Sequence, residues 1–174
     1  MLDEHRRLSE KKIASAIRDE LNRHGQMILT ANGQSMFPYI QQSDICTFSR
    51  LEKDSALKRG CIVLYQNDSG RLIAHRYLRT NVSPDGWEYF LIKGDSNLYP
   101  DPPVAPGQLI GVLTGMKAAK HRLRISHLSD RAWCRMILDV PRLSWLINKY
   151  LNLRSRAKKK ITIDFKRDFK RSKV

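Results

Sequence analysis

The chain has 174 residues, of which 41% are hydrophobic, enough for one domain with a packed core plus an appendage and too apolar for a wholly disordered chain. Its formal charge of +15 is unevenly placed: residues 1–116 hold 14 Lys/Arg against 13 Asp/Glu, a net of +1, and residues 117–174 hold 18 against 4, a net of +14. The three cysteines, Cys46, Cys61 and Cys134, are odd in number and widely spaced, which argues against a Cys-x-x-Cys zinc or redox site and for reduced structural thiols.

In chain order, Leu8, Ile13, Ile17 and Leu21 recur at helical spacing among charged residues, so an amphipathic helix is predicted over 8–22, ending at His24-Gly25. The segment from Leu2 to Arg23 is densely charged and lacks a signal peptide's apolar centre. The uncharged run from His24 to Ser43 is interrupted by Gln, Asn, Gly and Pro, so no membrane span is expected and the protein reads as cytoplasmic. From Gln26 the pattern becomes short apolar and β-branched runs at 26–31, 45–51, 61–66, 71–80, 87–93 and 108–115. Asn67-Asp68-Ser69-Gly70 and Ser83-Pro84-Asp85-Gly86 suit hairpins, and Pro100, Pro102, Pro103 and Pro106 stiffen 99–107. Residues 129–153 read as one or two helices broken near Pro141, followed by a basic tail. This divides the chain into an N-terminal helix (1–25), a β domain (26–116) and a basic helical extension (117–174).

Three features carry chemistry: Ser35 in the turn Asn32-Gly33-Gln34-Ser35-Met36-Phe37-Pro38, His75-Arg76 within a strand, and Lys93-Gly94-Asp95-Ser96-Asn97 leading to Asp101. Serine is a poor nucleophile unaided, so Ser35 needs a base in hydrogen-bond reach and donors for the developing oxyanion. His75 can be that base and Asp95 or Asp101 its orienting acid. Taken singly, Ser35 also reads as a turn residue, His75 as a satisfied strand histidine and the aspartates as loop caps.

Together these boxes resemble a known superfamily. Gly33-Gln34-Ser35-Met36-Phe37-Pro38 with Ser43-Asp44 is similar to the Ser-Met-x-Pro motif and downstream Gly-Asp of the LexA and signal peptidase superfamily, and Arg59-Gly60-Cys61-Ile62-Val63 to its Gly-Asp-Ile-Val strand. Ala74-His75-Arg76 and Lys93-Gly94-Asp95-Ser96-Asn97, with Asp101 beyond, resemble the His-Arg and Lys-Gly-Asp-Asn boxes of archaeal, endospore-former and eukaryotic signal peptidases. The match spans roughly residues 27–115. It implies a mainly β protein with the superfamily's coiled β-sheet fold, to which the residue patterns outside the match add an N-terminal helix and a helical basic extension that has no part in the resemblance. It implies a serine endopeptidase, without cofactor or metal, that cuts a precursor or leader peptide after a small residue. Ser35 is then the nucleophile, His75 the base and Asp101 the acid, with Asp95 the second candidate or a brace acting through backbone hydrogen bonds. Gly33, Gln34, Met36 and Pro38 would shape the oxyanion and substrate site.

The sequence departs from the pattern in several places. Gly33 stands where many signal peptidases carry a serine that serves the oxyanion, which shifts that task to backbone N–H groups such as that of Ser35. Ser43 and Cys61 replace a family Gly and Asp, and the family's membrane anchor has no counterpart here. The base position holds His75 rather than the lysine of LexA, and an ordinary imidazole needs no strong desolvation to act near neutral pH. About 25 residues ahead of the β domain are also too few for a helix-turn-helix. A LexA-like self-cleaving DNA-binding regulator is therefore the alternative reading, beside an inactive peptide- or membrane-binding module.

In the basic third, Trp133, Met136, Ile137, Val140, Leu143, Trp145, Leu146, Ile147, Tyr150 and Leu151 alternate with Arg131, Arg135, Arg142, Lys149, Arg154 and Arg156. Such helices can pack on the β domain with a solvated tail, lie peripherally on an anionic membrane, bind an acidic peptide, or, less favoured, bind nucleic acid. His121 and His127 form a weak metal pair without a third ligand.

Overall fold

A computed structural model of the protein describes residues 2–51, 56–119, 127–140 and 142–155. Helix α1 (Leu2–His24) leads into six strands: β1 (Gln26–Thr30), β2 (Ile45–Arg50), β3 (Ile62–Gln66), β4 (Leu72–Val82), β5 (Glu88–Lys93) and β6 (Leu109–Lys117). They form one antiparallel sheet in the order β1-β2-β6-β3-β4-β5. A single 3-10 turn, Pro106–Gln108, precedes β6. Two helices follow, α2 (His127–Asp139) and α3 (142–155). The protein is thus a six-stranded antiparallel sheet with an N-terminal helix and C-terminal helices.

Side chains alternate between the faces of a strand, and β3 is buried on both. Ile62 and Leu64 belong to one apolar cluster with Phe48, Ile110 and the α1 residues Ala14, Ile17 and Leu21. Val63 and Tyr65 belong to a second cluster with Tyr77, Phe90, Ile92 and Val104. Register shifts between Thr47 and Phe48, Leu64 and Tyr65, and Tyr77 and Arg79 interrupt the ladders. Such bulges increase local twist and let a single sheet serve two cores.

The face of α1 that packs on the sheet differs from the expected one. Leu8 and Ile13 are 53% and 54% exposed, whereas Ala14, Ile17 and Leu21 are buried. Positions 14, 17 and 21 keep the i, i+3, i+7 stripe, and residue 13 lies about 100° from residue 14 around the axis. Fully burying Ile17 and Leu21 is worth roughly 3–6 kcal/mol together. The approach is close because Gly111 of β6 has no side chain: a Cβ there would lie 2.7 Å from Leu21 Cδ2 and 2.8 Å from the Ser49 carbonyl oxygen. Arg18 fixes the register by donating to the carbonyls of Leu109 (2.8 Å) and Gly107 (2.9 Å).

The expected hairpins are present. Asn67 Oδ1 accepts from Ser69 Oγ and the Arg71 N–H in the β3–β4 turn, and Ser83 Oγ accepts from the Trp87 N–H in the β4–β5 turn. Gly70 and Gly86 supply φ angles of 92° and 77°, the left-handed region where a side chain is unfavourable. The C-terminal helical stretch is split next to Pro141, as the sequence implies. The basic tail from Arg156, residue His121 and the side chain of His127 lie outside the described residues. Among the described residues, no helix is long and apolar enough to cross a membrane.

Candidate active site

Ser35 sits on a loop closed at its base, where the Ala31 N–H donates to the Asp44 carbonyl (2.7 Å) and the Ser43 N–H to the Ala31 carbonyl (2.9 Å). Met36 and Ile40 plug the loop into the first apolar cluster, and the Gln41 N–H donates to the buried Asp44 carboxylate at 2.8 Å. Two residues take left-handed backbone angles, Gly33 (φ 118°) and Ser43 (φ 71°). Gly33 therefore has a conformational reason to be glycine. Ser43 occupies a glycine-favouring angle with a side chain.

His75 lies on β4 opposite Val63 of β3 and is 4% exposed. Its Nε2 is 2.8 Å from Ser35 Oγ, and its Nδ1 is 2.5 Å from Asp101 Oδ2. Asp101 is anchored by its own N–H, which donates to the Ile92 carbonyl at 2.8 Å. The chain beyond it pairs with β5 through Phe90 and Val104, so the proline-rich segment runs along an ordered strand. Tyr65 sets its ring edge-on to the imidazole, centroids 6.5 Å apart. Burial, reinforced by the Asp101 charge, pushes the Tyr65 phenol well above its ordinary range. Tyr65 therefore stays a neutral phenol near that carboxylate.

Asp95 is the acid that does not reach His75. It forms a bidentate pair with Arg76, Nε–Oδ1 2.7 Å and Nη2–Oδ2 3.0 Å, with side chains 4% and 1% exposed. Arg76 also donates to the Gly60 carbonyl (3.0 Å) and lies over the Tyr39 ring at 4.6 Å, while Trp133 Nε1 donates to Asp95 Oδ2 at 2.9 Å. The bracing role expected for Asp95 is thus performed through side chains. Charged groups buried to this degree require such pairing and hydrogen bonding. Burial lowers the ammonium pKa of neighbouring Lys93, with the Asp95 charge opposing that shift, and its Nζ donates to Ser144 Oγ at 2.7 Å.

A cleft of about 520 Å³ opens beside Ser35 and His75, lined by residues 29–36, by Ile40, Cys46, Phe48 and Leu64, and by Arg71 to Ala74. Gly33, Gln34 and Met36 border it, with Met36 itself 4% exposed and packed into the first apolar cluster. Pro38 does not line it, and its carbonyl instead accepts from Gln41 Nε2 at 3.2 Å within the turn. β5 pairs with β4 only from Arg76 onward, so the cleft borders a stretch of β4 whose outer edge has no partner strand among the described residues. Among the described residues the Ser35 N–H has no hydrogen-bond acceptor, which leaves it able to donate to an oxyanion. No group of three His, Cys, Asp or Glu suited to a metal occurs among the described residues.

Several contributors escaped sequence reasoning. Ser96 donates its N–H to the Ser35 carbonyl (2.9 Å) and its hydroxyl to the Gln34 carbonyl (3.0 Å). Gly94 admits the two loops to contact: a Cβ there would be 2.8 Å from the Ser35 carbonyl oxygen and 2.9 Å from His75 Nε2. Tyr65 and Trp133 carry no local signal that separates them from ordinary core aromatics. The chain matches no protein-family model and no curated protein sequence.

Proposed function

We propose that this protein is a serine endopeptidase with the LexA/signal peptidase-like fold, cleaving a precursor or leader peptide after a small residue. The observation that carries the reading is one buried imidazole bonded on Nε2 to a serine hydroxyl and on Nδ1 to a partly buried carboxylate. In this mechanism Asp101 keeps the proton on Nδ1, and Nε2 takes the hydroxyl proton as Ser35 Oγ attacks the scissile carbonyl carbon. The Ser35 N–H stabilises the resulting oxyanion. Collapse passes the proton from Nε2 to the leaving amine and leaves an acyl ester on Ser35. Water, deprotonated by His75, then hydrolyses that ester and restores the serine. An extended substrate adds along the open edge of β4, where backbone hydrogen bonds give affinity and the cleft gives selectivity.

The partner reading favoured by α3 is an anionic membrane surface. At 3.6 residues per turn, Trp145, Leu146, Lys149, Tyr150, Leu153 and Arg142 fall within an arc of about 140°. Trp145, Leu146 and Leu153 are 50%, 54% and 56% exposed, and Lys149 Nζ lies 5.0 Å from the Trp145 ring centroid. Ser144 and Ile147 on the other side are buried, so Ile147 and the similarly buried Ile137 take no part. Among described residues 131–155 the one acid is Asp139, already paired with Arg59 at 3.0 Å. Cations flanking exposed Trp and Leu on one helical face suit an anionic lipid interface.

A panel of peptides with a small residue at the scissile position tests the enzymatic reading by mass spectrometry. Cleavage by the wild type and none by Ser35→Ala supports it. Cleavage of the chain by itself supports a self-processing regulator instead, and binding without any cut supports an inactive module.

A further inference from the structure

The C-terminal helices grip the two chain segments that hold the nucleophile. From α3, Asn148 Nδ2 donates to the Ser96 carbonyl at 3.1 Å, and Ser96 in turn donates its N–H to the Ser35 carbonyl at 2.9 Å. Two residues further on, the Tyr150 ring stacks on Phe37, centroids 5.9 Å apart and planes at 23°. The helix therefore reaches the Ser35 turn through Ser96 on one side and through Phe37 on the other. Trp133 of α2 holds Asp95, next to Ser96, and Ser144 of α3 receives Lys93, two residues before it. None of these groups touches Ser35 Oγ.

We propose that α3 is a positioning element for the Ser35 hydroxyl, with Asn148 as its positioning residue; this rests on the reading of Ser35 as nucleophile. Ser96 is 4% exposed, so its carbonyl has little water to replace a lost amide donor, and the loop must shift to satisfy it. That shift moves the Ser96 N–H and with it the backbone of Ser35. A misplacement of about 1 Å costs on the order of 100-fold in a reaction that depends on near-attack geometry. The orientation of the Asn148 amide is itself fixed, because its Oδ1 accepts from Asn152 Nδ2 at 2.8 Å. Asn148→Asp keeps that acceptor and the side-chain shape, and sets an oxygen against the Ser96 carbonyl.

The test is the rate at which a small fluorophosphonate probe modifies Ser35 in the full chain, read by intact mass. In this step Ser35 Oγ bonds to phosphorus, fluoride leaves, and His75 accepts the hydroxyl proton. Asn148→Asp is expected to lower the limiting rate by roughly 10- to 100-fold, with the probe concentration at half-maximal rate and the shape of the pH–rate profile little changed and the melting temperature lowered by only several degrees, so that the variant is fully folded at the assay temperature. If the aspartate variant does not fold, Asn148→Ala gives the same readout without a new charge. Modification of the folded variant at the wild-type rate overturns the positioning role while leaving the catalytic reading intact. Wild-type protein that acquires no adduct on Ser35 overturns both.

Discussion

At the scale of single residues, two aspartates six positions apart do different work. Asp101 orients the imidazole, so Asp101→Asn keeps the shape but favours the wrong tautomer. It should lower the cleavage rate on the order of 10³- to 10⁴-fold with little loss of stability, as steady-state kinetics beside thermal melts would show. Asp95→Asn instead leaves the Arg76 guanidinium buried without its counter-charge. The expected cost is about 3–5 kcal/mol of stability, measured by urea unfolding. The sequence put both aspartates in one box and left the choice of acid open. Spacing shows which residues lie near each other along the chain, whereas the Asp101 N–H bond to Ile92 and the Arg76 fork on Asp95 are set by the strand register.

At the scale of elements, the strands were legible because each has a β-branched or aromatic run bounded by Gly, Asn, Ser or Pro, and all six lie within two residues of the expected bounds. The α1 face was less legible, since Leu8 and Ile13 look like core residues until the helix is set against Gly111. Packing of the C-terminal helices on the β domain was among the expected readings, but their specific contacts were not legible, because Trp133–Asp95 and Asn148–Ser96 join residues 38 and 52 positions apart without any local pattern. Close contact between elements makes glycines informative. Gly94→Ala would force apart the Ser35 backbone and the His75 ring, so the protein should fold and lose most of its activity, seen as a fall in kcat beside a nearly native circular dichroism spectrum.

At the scale of the whole molecule, buried neutral acids set the alkaline limit of stability. Burial first, and then the Asp44 charge, raise the Cys46 thiol from 9.0 to about 11; burial likewise dominates at Cys61, raised to about 11, and at Tyr39, raised to about 12. Folded-state values above the unfolded ones mean these contributions are complete below about pH 9 and fade as pH rises, through 9 to 11 for the thiols and 10 to 12 for Tyr39. Lys93 has the opposite sign: its lowered value costs stability at neutral pH, and that cost fades toward pH 10.5. With four groups, Tyr65 among them, against one, the urea midpoint should fall between pH 9 and 11. The outward face of α3 predicts a surface property as well. Leu146→Asp with Leu153→Asp should weaken co-sedimentation with vesicles rich in anionic lipid at least tenfold, whereas undiminished binding would assign the attraction to charge elsewhere in the basic third. The charge asymmetry of the sequence located the basic residues in the last third, whereas the helix packing shows which side of α3 is exposed.

The most direct measurement for the account as a whole is peptide mapping after treatment with a fluorophosphonate probe. Wild-type protein should carry a single adduct on Ser35, and His75→Ala should carry almost none at equal exposure. An adduct elsewhere, or equal modification of Ser35 with and without the imidazole, would contradict a catalytic triad of Ser35, His75 and Asp101.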